Sequence, residues 1–188
     1  MLEFNFNPFP KLETERLILR ELMMTDASDY FEIRSNPKVM KYQARPAETL
    51  KDAEKVIKKT SQSLAENKAI CWAICLKNNS KFIGTIGYYR TQFEHCRTEI
   101  GYELHPDFWK KGMASEAMQA VLNYIFSKTK VHSVEANIDP ANLPSARILE
   151  RNHFIKEAYF RENYFTQGRF TDSAIYSLLK SRHLALCQ

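Results

Sequence analysis

The apolar residues of this chain change their spacing in the middle of the sequence, and no other feature limits the fold as much. Ile70, Trp72, Ile74 and Leu76 alternate with Cys71, Ala73 and Cys75, a period of two that reads as a strand. After the turn-forming Asn78-Asn79-Ser80 a second strand runs from Phe82 to Tyr89. A third, Thr98 to Leu104, puts Ile100, Tyr102 and Leu104 on one face and Glu99, Gly101 and Glu103 on the other. Beyond a short loop the period lengthens: Ala114, Ala117, Met118, Val121, Leu122, Ile125 and Phe126 fall on one stripe of a helix. A chain that carries both periods must pack helices against a sheet.

The flanks extend this pattern. A strand is predicted from about Arg16 within Leu12 to Glu21. Thr25-Asp26-Ala27-Ser28 offers caps for a helix through Tyr30, Phe31 and Ile33, which Ser35-Asn36-Pro37 ends. A second helix runs from Thr49 to about Glu66 behind a Thr-x-x-Asp capping box. Val131 to Ile138 reads as a strand, Pro144 to Arg151 as a short helix, and Phe154–Phe165 with Phe170–Ser177 as a closing hairpin around Gln167-Gly168. This order predicts a mixed α/β (α+β) domain, one sheet with helices on both faces, spanning residues 1–188 without linker or repeat.

At 44% hydrophobic and 26% charged the composition excludes a disordered or collagen-like chain. No stretch approaches the ~20 apolar residues of a spanning helix, and Met1 to Pro10 lacks the charged leader and apolar run of a secretory signal. The four cysteines, Cys71, Cys75, Cys96 and Cys187, form neither a C-x-x-C pair nor a metal-ligand spacing. Reduced thiols in a cytoplasmic protein without metal are expected, with no membrane partner. The net charge of +5 is spread along the chain with no run of five or six basic residues, so nucleic acid is not expected as a partner.

One local motif answers the excess charge. Trp109-Lys110-Lys111-Gly112-Met113-Ala114-Ser115-Glu116 lies between a strand end and the first turn of the strongest helix. A helix start presents unpaired N–H groups and partial positive charge, a glycine there admits a ligand oxygen to the backbone, and two lysines raise the potential further. The segment has the chemistry of a pyrophosphate cradle, although a single glycine also serves an ordinary turn.

A second constellation, Asn142-Leu143-Pro144-Ser145-Ala146-Arg147-Ile148-Leu149-Glu150-Arg151-Asn152-His153-Phe154, gives the loop a context. With T-E-R-L-I-L-R at Thr14–Arg20, I-G-Y-E-L at Ile100–Leu104 and the block from Trp109, it resembles, in order and spacing, the GNAT superfamily of acyl-CoA-dependent N-acetyltransferases, in its RimJ/RimL-like branch. The resemblance implies a largely antiparallel sheet splayed between the family's fourth and fifth strands, with acetyl-CoA in the wedge. It places the pyrophosphate on the amides of Lys111, Gly112, Met113 and Ala114, beside Lys110 and with Ser115 as a hydroxyl donor. Pantetheine would run along Tyr102, Glu103 and Leu104, and Asn142 and Ser145 would lie near the thioester. Two positions depart from the family pattern: Lys110 stands where the first glycine of Trp-Gly-Lys-Gly is expected, and His153 replaces the glycine before Phe154.

Acetyl transfer needs a neutral amine, a donor for the thioester oxygen and a proton for the departing thiolate. Among Glu99, Glu103 and Glu135, Glu103 is favoured as base because it lies nearest the strand end. Many relatives place a tyrosine acid where this chain has Leu149, which leaves Ser145 as the best hydroxyl, or as a helix cap, with Tyr159, Tyr164 and Tyr176 in reserve. His153 is a further candidate base or a surface residue. A backbone N–H near Leu104 would serve the thioester oxygen. Acetyl-CoA and an amine are the implied partners, the amine being a protein N-terminus of the ribosomal-protein type or a small molecule. Glu94, Glu99 and Glu103 hint at a locally acidic acceptor groove. The branch points to a homodimer, to which the leucines at 178, 179, 184 and 186 would contribute if they do not pack on the core. A CoA-binding module without turnover is the alternative.

Overall fold

The computed structural model describes residues 2–42, 46–166 and 168–186. The elements in chain order are β1 (Leu12–Glu13), β2 (Leu17–Glu21), α1 (Ala27–Ser35), α2 (Pro37–Met40), α3 (Leu50–Ala65), β3 (Ile70–Leu76), β4 (Phe82–Gln92), β5 (Arg97–Leu104), α4 (Met113–Lys128), β6 (Ser133–Ile138), α5 (Leu143–Arg151), β7 (Ile155–Thr166), β8 (Arg169–Leu179) and α6 (Lys180–Leu186). Every element expected from the spacing is present. The short β1, α2 and α6 were not anticipated, because segments of so few residues carry too little of either period. Gln167 of the predicted turn and Cys187 lie outside the described residues, whereas Cys71, Cys75 and Cys96 are free thiols.

The eight strands form one sheet in the order β1-β2-β3-β4-β5-β6-β8-β7. All neighbours are antiparallel except β5 and β6, which α4 connects as a crossover. That parallel pairing sets up the site. It holds only from Arg97↔Ser133 to Glu99↔Glu135, whereas β4 follows β5 to Leu104 on the other edge. From Ile100 onward the two central strands part, and the sheet opens into the splay that the resemblance implied.

Packing fixes the strands on either side of this opening. Leu17, Leu19, Trp72, Ile86 and Ile100 meet the buried stripe of α4, Ala117, Met118, Val121, Leu122, Ile125 and Phe126. Burial of each larger side chain contributes about 1.5–3 kcal/mol, so the helix start is held on a rigid base. The other face packs on α1 and α3 through Tyr30, Ile33, Ala53, Ile57, Ala73, Cys75 and Phe82. The capping box of α3 forms as predicted, Thr49 N–H donating to Asp52 at 3.0 Å and Asp52 N–H to the Thr49 hydroxyl at 3.3 Å. Of the C-terminal leucines Leu178 enters the core, while Leu179, Leu184 and Leu186 stay exposed. Helix α6 docks instead through His183, whose Nε2 lies 2.8 Å from Asn123 Oδ1. No helix among the described residues is long and apolar enough to cross a membrane.

The helix α5 ends in a motif that explains one departure from the family pattern. His153 N–H donates to Glu150 C=O, and Phe154 N–H to Leu149 C=O, both at 3.0 Å. This is the Schellman arrangement, with buried Leu149 and Phe154 as its apolar pair and its left-handed position filled by His153 at φ +67°. Lys110, the second departure, is also left-handed at φ +61°. Both side chains therefore occupy the backbone conformation for which glycine is the usual residue.

Candidate functional site

A cleft of about 480 Å³ occupies the splay. Glu103, Leu104, Lys110, Gly112, Met113, Ala114, Ser115, Asn142 and Ser145 all line it, so residues from three of the four sequence blocks converge on one place. Lys111 is the exception: its ammonium sits 5.4 Å over the Phe108 ring, and its carbonyl accepts from Arg16 Nη1 at 2.9 Å.

The loop before α4 is shaped by its ends. Trp109 Nε1 donates to the carbonyl of Leu104 at 2.7 Å, tying the loop to the end of β5. Gly112 caps α4 at φ +78° with no side-chain hydrogen bond to the first turn, and Gly112, Met113, Ala114 and Ser115 line the cleft. Asn152 Nδ2 donates to Ser115 Oγ at 2.9 Å, so the Ser115 hydroxyl accepts there and its own proton is left to donate. Lys38, Lys41, Lys110 and Arg151 add cations to the lining. Uncapped amides, a positive-φ glycine and a cationic lining suit a polyphosphate.

The inner end holds a hydroxyl pair. Ser145 Oγ lies 2.7 Å from the Tyr102 hydroxyl, which also reaches the Ser145 carbonyl at 3.2 Å. Asn142 Oδ1 accepts the Ser145 N–H at 3.2 Å, so Asn142 caps α5 and the Ser145 side chain is free of that task. Burial pushes the Tyr102 phenol well above its ordinary value, against the opposing hydrogen bond with Ser145. Sequence reasoning passed over Tyr102 as a hydroxyl, although its place on the Leu104 face of β5 was a usable signal.

The carboxylates differ most from expectation. Glu103 is buried, its Oε2 3.0 Å from Arg34 Nη1 and its Oε1 accepting the Thr85 hydroxyl at 3.3 Å. Glu99 pairs with Arg90 at 3.1 Å and Glu135 with Arg97 at 3.6 Å. Burial pushes the Glu99 carboxyl upward more than Arg90 draws it down. With Glu94 on an exposed turn, the acidic groove does not form: the buried carboxylates each carry an arginine. Arg34 was the unrecognised partner, detectable only as a charge four residues after core-facing Tyr30 on α1.

A second cleft, about 370 Å³, lies between α1, α3 and the sheet and is lined by Tyr30, Arg34, Lys59, Thr85, Tyr89 and Glu103 among others. Tyr102 and Glu103 line both clefts, which therefore share a wall near the end of β5. Burial, with Glu103 nearby, pushes the Cys71 thiol on this side up to about 12. Tyr159, Tyr164, Tyr176 and His153 line neither cleft. Tyr159 bonds the Asp172 carboxylate, Tyr164 accepts from Asn137 at 3.0 Å, and Tyr176 faces Glu150 at 3.4 Å. Among the described residues no three His, Cys, Asp or Glu side chains are grouped to hold a metal ion.

Comparison with known proteins agrees with this geometry. Residues 16–155 match the family model described as acetyltransferase (GNAT) domain. The chain is 35% identical to the uncharacterized N-acetyltransferase YoaA of Bacillus subtilis over 93% of its own length and 99% of that protein. A GNAT-family acetyltransferase structure from Bacillus anthracis superposes with TM-score 0.82 at 29% identity, covering 92% of this chain and 99% of that one. At the level of fold alone, the chain also matches RimL, an alpha-N-protein acetyltransferase in complex with coenzyme A (TM-score 0.85, 16% identity, 92% and 99% covered). It matches a Vibrio cholerae spermidine N-acetyltransferase in complex with CoA and spermine equally broadly (TM-score 0.80, 21% identity, 91% and 99% covered).

Proposed function

The chain belongs to the GNAT family of acetyl-CoA-dependent acetyltransferases, and we propose that its acceptor is an amine of low positive charge, a peptide N-terminus of the RimJ/RimL kind before a small monoamine, entering by the cleft between α1 and α3. One observation carries the proposal: the two clefts, bounded by different helices, have only Tyr102 and Glu103 in common among their lining residues. Donor and acceptor held from the two sides would be brought together at those two residues, and proximity alone supplies a large part of such a rate enhancement.

Acetyl-CoA supplies an activated acetyl thioester; the protein's part is to bind, orient and move protons. The amides of Lys111 to Ala114, with Ser115 and the lysines, are the proposed holders of the pyrophosphate. His105 N–H donates to Ile83 C=O on the β4 side, so by strand alternation the N–H of Leu104 points to the opposite, open edge. That N–H is the proposed donor to the thioester oxygen. Ser145, backed by Tyr102, is the proposed proton source for the leaving thiol. Glu103 is the proposed acceptor of the amine's proton: its carboxylate lines both clefts while Arg34 and Thr85 hold it in place.

Charge supports the limit on the acceptor. The second cleft carries Arg34 and Lys59 against the single carboxylate of Glu103, which does not suit a polycation. Thiol release from acetyl-CoA across a panel of N-terminal peptides, monoamines and spermidine tests the reading. Peptides or monoamines should exceed spermidine in kcat/KM; preference for spermidine would overturn it.

A further inference from the structure

We infer that Arg16 is a positioning residue for the cofactor loop, neutralising a carboxylate at the start of α4 and holding the loop's backbone in its binding shape. The inference rests on the proposed pyrophosphate site and adds a residue outside its lining. Glu116 lies in the first turn of α4, close to the amides that would receive a polyanion. Left alone, its charge would oppose that ligand. Arg16 Nε and Nη2 each lie 2.6 Å from Glu116 Oε2, while the Arg16 N–H at 2.9 Å and the Thr14 hydroxyl at 2.5 Å take Oε1. The remaining guanidinium nitrogen, Nη1, donates to the carbonyl of Lys111 at 2.9 Å. One side chain thus grips both the carboxylate and the peptide between the left-handed residues Lys110 and Gly112. Partial burial raises the Glu116 carboxyl most, yet the bonds from Thr14 and Arg16 together hold it below the usual range, so it is ionised at neutral pH. Lysine cannot replace this fork, having a single point of charge. The Thr-Glu-Arg block near the N-terminus, far from the loop in sequence, thereby acquires a task in the site.

Two probes separate loop positioning from general damage: CoA by calorimetric titration, and pantetheine, which lacks the pyrophosphate, by NMR titration. Arg16→Ala should raise the Kd for CoA at least about tenfold while leaving that for pantetheine within about twofold. Arg16→Ala with Glu116→Gln, which removes the exposed carboxylate, should bind CoA at least about threefold more tightly than Arg16→Ala alone. Unchanged CoA affinity in Arg16→Ala, an equal loss for both probes, or a double variant no tighter than the single would overturn the inference. A wild-type chain that binds no CoA would instead overturn the cofactor site beneath it.

Discussion

Replacing His153 with glycine should make the protein more stable. His153 is the left-handed residue of the Schellman motif that ends α5, at φ +67°. An L-residue there costs roughly 1–2 kcal/mol, towards the lower end for histidine, which is enriched in this region. Glycine removes that cost but gives back about 0.4–1 kcal/mol through the greater freedom of the unfolded chain. The side chain is exposed. The bonds that define the turn, from His153 N–H to Glu150, from Phe154 N–H to Leu149 and from Arg182 Nε to the His153 carbonyl, all use His153 backbone or neighbours and survive the change. The net gain is about 0.3 kcal/mol. At about 2–4 °C per kcal/mol for a chain of this size, Tm should rise by about 1 °C. Thermal melts of wild type, His153→Gly and His153→Ala decide the matter, because alanine removes the imidazole but keeps the strained Cβ. A Tm for His153→Gly at or below wild type, or an equal rise with alanine, would refute the strain argument.

Three further outcomes are expected. Gly112→Asp, which sets a carboxylate at the mouth of the helix and puts an L-side chain at φ +78°, should raise the acetyl-CoA Kd at least ~10-fold, about 1.4 kcal/mol, by titration calorimetry. Ser145→Ala, and to a smaller degree Tyr102→Phe, should lower kcat more than they weaken CoA binding; equal losses would make the pair structural. Because the folded Glu99 carboxyl is raised, its neutral form is favoured by folding, and its contribution is lost as pH rises from the ordinary glutamate range through the raised value. Melts of Glu99→Gln across that window should lack this fall in stability, and an identical pH profile in both proteins would contradict it.

The parts of the fold that follow from period were legible in the sequence. The stripe from Ala114 to Phe126 and the alternation around Ile100 fixed α4 and β5 because burial on one face enforces spacing. The loop at Gly112 was legible through local chemistry, and Asn142 and Ser145 through resemblance. The pairings were not. Arg34 reaches Glu103 across 69 positions and Arg16 reaches Glu116 across 100, and no local pattern encodes which distant charge a side chain will meet. Glu99 and Glu103 looked like an acidic face in isolation; only packing of α1 and the turn of β4 against β5 supplied their arginines. Lys110 and His153 were recognised as departures from glycine, yet whether the backbone would keep its left-handed turn depended on bonds made by neighbouring residues.

The central claim is acetyl transfer where two clefts share Tyr102 and Glu103, and the amount of thiol released from acetyl-CoA by the purified chain tests it most directly. With an N-terminal peptide or monoamine acceptor, release should rise above the acceptor-free background, with the acetylated amine appearing in equal amount by mass spectrometry, and Ser145→Ala should depress both. A chain that binds CoA but shows no acceptor-dependent release across the whole amine panel would contradict it.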